Sequence, residues 1–150
     1  MSSKYFTFYE LIKSSVAEEK GINNTPQEKD IIDNITELIE TVLDPLREAW
    51  GSAIIVSSGY RCPELNKEVG GSKTSSHMSG YAADIKPANG KKNEFFKFTK
   101  NWLLENNIKF DQIIDEYSGD MHWLHIGLKN NKGEQRKRVM EYKNGKYRNL

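Results

Sequence analysis

Ser75-Ser76-His77-Met78-Ser79-Gly80-Tyr81-Ala82-Ala83-Asp84 sets a loop histidine ahead of an aspartate in a short strand, Ala82 to Lys86, stopped by Pro87. Gly80, Ala82 and Ala83 are small, so backbone and a bound group can approach closely there. Upstream, Ala53-Ile54-Ile55-Val56-Ser57-Ser58 reads as another strand. Between them Gly59 to Ser79 is rich in Gly, Ser and Pro, with a short helix after Pro63. Downstream, Asn93 to Asn106 reads as an amphipathic helix carrying Phe95, Phe96, Phe98, Trp102, Leu103 and Leu104. Phe110 to Tyr117 and His122 to Leu128 read as strands joined by a turn at Ser118-Gly119-Asp120. Arg138 to Tyr142 and Lys146 to Arg148 form a hairpin around Asn144-Gly145.

The N-terminal third is helical in pattern. Thr7-Phe8-Tyr9-Glu10 reads as a capping box opening a first helix, closed at Gly21. Thr25-Pro26-Gln27-Glu28 opens a second, with Ile31, Ile35, Leu38, Ile39, Val42 and Leu46 at helical spacing. That helix is expected to run to about Trp50, stop at Gly51, and be kinked or broken at Pro45. Helices first and strands later predict an α+β fold with a mainly antiparallel sheet, in one domain over residues 1–150.

With 37% hydrophobic and 29% charged residues the chain has the balance of a globular protein, and no apolar run is long enough for a membrane helix. Met1-Ser2-Ser3-Lys4 is not followed by the apolar core of a signal peptide, so synthesis in the cytosol without a Sec-type signal is expected. Cys62 is the single cysteine, which rules out an intrachain disulfide and suits a structural role. Net charge is +1, yet Lys129, Lys132, Arg136, Lys137, Arg138, Lys143, Lys146 and Arg148 face only Glu134 and Glu141 near the C-terminus. A solvated face is the plain reading of that segment; attraction to an anionic polymer is the sharper one. No nucleic-acid motif accompanies it.

The three histidines are His77, His122 and His125. Two imidazoles and a carboxylate, without cysteines, have the composition of a catalytic zinc site, which keeps one position for a water that the metal acidifies. Spacing alone also allows a packed strand histidine and a turn-capping aspartate.

Ser75 to Asp84 resembles the S-x-H-x-x-G-x-A-x-D signature of the M15 peptidases, which include zinc D-alanyl-D-alanine carboxypeptidases and phage L-alanyl-D-glutamate endopeptidases. Ser57-Ser58-Gly59-Tyr60-Arg61 resembles the family's S-G-Y-R motif, and Trp123-Leu124-His125-Ile126 its W-x-H-[IV] motif. Leu65 to Ser72 is similar to the loop between them, and Phe8 to Trp50 to the helical lead-in of the phage and prophage subgroup. The resemblance implies a hedgehog/D-Ala-D-Ala-peptidase-like fold and hydrolysis of a peptide bond in peptidoglycan stem peptides.

By that resemblance His77, Asp84 and His125 hold one Zn2+ per chain. Arg61 binds a substrate carboxylate or the developing oxyanion. The family's acid–base position, three residues before the last ligand, holds His122 here. An odd spacing puts His122 and His125 on opposite faces of a regular strand, so His122 serves only from a turn or bulge. Glu116 and Asp120 are the second and third candidates. Ser75, Tyr81 and Trp123 are candidates for substrate contact, Tyr81 and Trp123 with core packing as the equal alternative. The expected partner is the stem peptide, for a monomer with no nucleic acid and no membrane insertion, acting on the wall after phage-type release. Two other readings are a non-catalytic zinc-containing binding module of the hedgehog type, and an interaction protein working through its basic end.

Overall fold

The computed structural model describes residues 4–150; Met1-Ser2-Ser3, read above for an export signal, lie outside the described residues. The elements are helices α1 (Ser15–Lys20), α2 (Lys29–Leu38), α3 (Asp44–Trp50), α4 (Pro63–Glu68) and α5 (Lys92–Glu105), and strands β1 (Ile54–Ser58), β2 (Ala82–Pro87), β3 (Gln112–Ser118), β4 (Met121–Gly127), β5 (Arg138–Lys143) and β6 (Lys146–Asn149). The strands form one sheet in the order β1-β2-β4-β3-β5-β6. All neighbours are antiparallel except β3 and β5, so the fold is α+β with a mainly antiparallel sheet.

Side chains alternate between the two faces of a strand, and the register turns that alternation into two surfaces. One carries Ala83 and Ile85 of β2, Leu124 and Ile126 of β4, and Ile113 of β3. These join a single apolar cluster with Ile35, Leu38, Leu43, Leu46, Phe95 and Leu103 of the helical layer. The other surface carries Asp84, His125, Ile114 and Glu116. No helix among the described residues is long and apolar enough to cross a membrane.

Three N-terminal expectations need correction. The Thr7–Glu10 capping box is made: the Thr7 N–H donates to Glu10 Oε1 at 3.1 Å and the Glu10 N–H to Thr7 Oγ1 at 3.2 Å. It opens only a 3-10 turn, Tyr9–Leu11; α1 restarts behind Ser14, whose hydroxyl accepts from the Ala17 N–H at 3.2 Å. A second strong cap inside the segment splits the expected helix in two. Next, α2 begins at Lys29, because Glu28 still holds an extended backbone, φ −80° and ψ 128°. Finally, the chain stays helical through Pro45, so the helix is not broken there. A π-helical turn, Ile39–Leu43, precedes it and shifts the hydrogen-bond ladder where the missing N–H would fall. Gly21 and Gly51 end their helices in the left-handed region, at φ 66° and 79°.

Candidate metal centre

His77 stands on a 3-10 turn, Ser76–Ser79, that several contacts fix in place. Ser75 Oγ accepts from the His77 N–H at 3.2 Å, and the Arg61 N–H donates to the His77 carbonyl at 3.0 Å. The Asn34 amide of α2 donates to the Ser79 carbonyl at 2.8 Å. The turn closes on Gly80 at φ 84°, packed so tightly on α2 that a Cβ would lie 2.9 Å from Ile35 Cγ1. These constraints explain a glycine at this position.

The sheet supplies the other two groups. Asp84 on β2 is the register partner of His125 on β4, which is in turn the partner of Ile114 on β3. Asp84 and His125 are therefore neighbours on one face by virtue of strand pairing. His77 Nε2 lies 3.3 Å and His125 Nδ1 3.1 Å from the same Asp84 oxygen, and one donor atom from each of the three residues falls within 4.8 Å of the others.

The donor chemistry fits a divalent metal. His77 Nδ1 is 2.7 Å from the Gly59 carbonyl, which can only accept, so Nδ1 carries the hydrogen and Nε2 presents its lone pair. Burial lowers the His77 pKa and keeps the ring neutral. Burial alone would raise the Asp84 pKa, but the flanking imidazoles hold its carboxyl well below the usual carboxylate range. A nitrogen lone pair thus faces an ionised oxygen, an arrangement a shared cation stabilises. For His125 burial acts downward, but Asp84 more than offsets it and the net pKa is raised. The Gln112 amide lies 3.4 Å from His125 Nε2, on the side of the ring away from Asp84. His77, Asp84 and His125 would hold the metal, with the Gly59 carbonyl orienting the His77 ring.

Glu116 shares this face, two residues along β3 from Ile114, with Oε1 4.0 Å from His125 Nδ1. Burial pushes its carboxyl up to about 7, with Asp84 adding to the effect and His125 and Arg61 opposing it. Arg61 follows β1, with Nη2 3.4 Å from Ser75 Oγ and a buried Nε that has no partner among the described residues. Arg61, Ser75, Trp123 and Glu116 line, with the three donor residues, an open cleft of about 840 Å³. That volume suits a ligand well beyond a single residue.

His122 is not in this cleft, which corrects the first-ranked acid–base assignment. β4 pairs with β3 in unbroken register from Met121 to Gly127, without the bulge that His122 would need. The side chain falls on the helix-side face, where Nε2 is 2.5 Å from Asp115 Oδ1 and the ring stacks on Tyr117 at 4.0 Å between centroids. Asp120 sits exposed in the β3–β4 turn. Tyr81 packs against the apolar cluster, with Lys129 over its ring, and does not line the cleft. Ser75 reaches the cleft but spends its hydroxyl on the His77 N–H and Arg61. Cys62 is half-buried, its N–H donating to Asn24 Oδ1 at 2.8 Å.

Residues that the sequence reading did not single out also belong here. Gln112 shares the period-2 face of Ile114 and Glu116, a signal visible once β3 is placed. Arg138, Tyr142 and Tyr147 line the cleft from the C-terminal hairpin. Their exposure to the site depends on the parallel β3–β5 pairing, which short-range sequence cues do not encode.

A protein-family model described as Peptidase M15 matches residues 4–122. No curated protein matches the chain.

Proposed function

Because the chain belongs to the peptidase M15 family, we propose that it is a zinc-dependent peptidase that cleaves a peptide bond in peptidoglycan stem peptides. The observation that carries this reading is the Glu116 carboxyl, half-buried in the cleft beside the His77–Asp84–His125 group. A binding module needs the ligand set alone; hydrolysis also needs a proton acceptor within reach of the substrate.

Zinc held by His77, Asp84 and His125 would supply Lewis-acid chemistry at this site. The chain's own residues do the rest. Glu116 Oε1 takes the proton of the attacking water and returns it to the leaving amine. Arg61, which lines the cleft and donates to Ser75, presents its guanidinium to a substrate carboxylate or to the developing oxyanion. Trp123 forms part of the wall beside Glu116, its partner in the β3–β4 register.

Endopeptidase action is favoured over removal of a terminal residue. A second cavity of about 240 Å³ shares Arg61, Val69 and Asp84 with the main cleft, and this adjoining space supports a substrate that continues past the reacting residue. Action on the wall after phage-type release belongs to the same reading and rests on the resemblance to the phage and prophage subgroup.

The test is digestion of purified peptidoglycan with the zinc-loaded protein, with and without chelator, beside Glu116→Gln. Chelator-sensitive release of internal stem-peptide fragments, lost in the variant, is expected in mass spectra. Peptidoglycan binding without cleavage by the zinc-loaded protein would turn the reading to the hedgehog-type binding module.

A further inference from the structure

The C-terminal hairpin lies beyond residues 4–122, yet it builds one side of the cleft. The register explains how. Gln112, Ile114 and Glu116 of β3 pair with Arg138, Met140 and Tyr142 of β5, and Tyr142 pairs with Tyr147 of β6. Alternation places all of these on the face that carries Asp84 and His125. Trp123, Glu116, Tyr142 and Tyr147 thus form one row across four strands. Strands are spaced by roughly 4.8 Å, so the row extends from Glu116 for about 10 Å, near three residues of extended chain.

The two faces of the hairpin differ in charge balance. On the outer face Glu141 is paired with Arg148 at 3.0 Å, and Lys143 lies over the Tyr117 ring at 4.8 Å. On the cleft side Arg136 is spent in a fork with Asp111, at 2.7 and 2.9 Å. Arg138 is exposed, lines the cleft, and has no carboxylate partner among the described residues. Beyond Met140 the Tyr142 and Tyr147 rings lie 4.6 Å apart at 51°, and Tyr147 is 61% exposed. An unneutralised guanidinium at one end of β5 and a bare aromatic pair at the other make a surface for a ligand with a carboxylate and an apolar stem.

The geometry points to the cleft face of β5–β6 as a substrate-binding arm that takes a carboxylate-bearing peptide segment on one side of the scissile bond. Arg138 pairs with the carboxylate, and Tyr142 and Tyr147 support the chain. This inference rests on the peptidase reading for the identity of the ligand, but its binding can be measured without turnover.

The experiment uses the full chain, zinc-loaded, in a Glu116→Gln background that suppresses cleavage. Binding of a fluorescent acetyl-L-Ala-D-Glu-L-Lys peptide is followed by anisotropy, with its carboxylates free or amidated. The free form is expected to bind better, and Arg138→Gln to remove that advantage, a loss on the order of 5-fold for a partly solvated ion pair. Tyr147→Ala is expected to weaken both peptides. Lys146→Gln removes the same charge from the outer face and is expected to change neither. Equal binding of the two peptides, or a Lys146→Gln effect as large as that of Arg138→Gln, overturns the proposal. Preserved carboxylate-dependent binding, with no cleavage by the Glu116 protein, strikes the hydrolase reading and leaves the arm standing.

Discussion

At the scale of single residues, Glu116 and His122 divide along the two faces of the sheet. Glu116→Gln keeps shape and removes the proton acceptor, so kcat is expected to fall by about 10²-fold or more while zinc content stays the same. Elemental analysis beside an initial-rate assay checks both halves. His122→Ala is expected to leave turnover nearly intact, because its ring contacts Asp115 and Tyr117 on the helix side. It leaves the buried Asp115 short of a partner, at a cost of about 1–3 kcal/mol in urea unfolding. The pH profile has a defined sign. Glu116 acts as a base only when ionised, and burial raises its carboxyl to about 7. A bound divalent cation draws that value down, so kcat/KM is expected to rise with pH along a limb at or below pH 7. An activity that falls as pH rises from 5 to 7 would remove Glu116 from this role. The sequence could offer His122, Glu116 and Asp120 as candidates, but only strand phase separates them. That phase follows from an unbroken β3–β4 ladder, which a count of spacings leaves open.

At the scale of elements, the turn carrying His77 depends on its seat against α2. Gly80→Ala places a Cβ 2.9 Å from Ile35 Cγ1 and 3.0 Å from the Ile31 carbonyl, and does so at φ 84°. Strain and clash together are expected to cost about 1–3 kcal/mol and to shift His77. Thermal unfolding measures the first, and weakened zinc binding in a competition titration the second. Much of this level was legible. Gly21 and Gly51 stop their helices, the Asn144-Gly145 turn folds the hairpin with both residues at positive φ, and helix α4 begins at Pro63. What escaped depended on competition or on distance. Ser14 outcompeted the continuation of a helix from Tyr9. The π-helical turn absorbed Pro45. The parallel pairing of β3 with β5 brings Arg138 and Tyr142 to the cleft through contacts that no local pattern carries.

For the whole molecule, the candidate metal centre joins β2, β4 and the turn at His77, so a ligand that binds it only in the folded chain stabilises all of it. Zinc at a hundred times its Kd is expected to add about 2.7 kcal/mol, or roughly 5–10 °C in Tm, and a chelator to reverse the gain. The gain is also expected to shrink as pH falls. Protonation of His125, whose pKa is raised beside Asp84, sets a proton against the metal for Nδ1. Scanning calorimetry at pH 7.5 and pH 5.5, with and without zinc, checks both statements; a zinc-induced shift that grows on acidification would contradict the second. The register that joins Asp84 to His125 also has a consequence for synthesis, since the paired residues lie 41 positions apart in the chain. A nascent polypeptide released from the ribosome only as far as α5 has two of the three donors and lacks both β4 and Glu116. On the peptidase reading, metal acquisition and hydrolytic competence therefore wait until translation has delivered most of the chain, and products truncated before β4 are expected to carry neither.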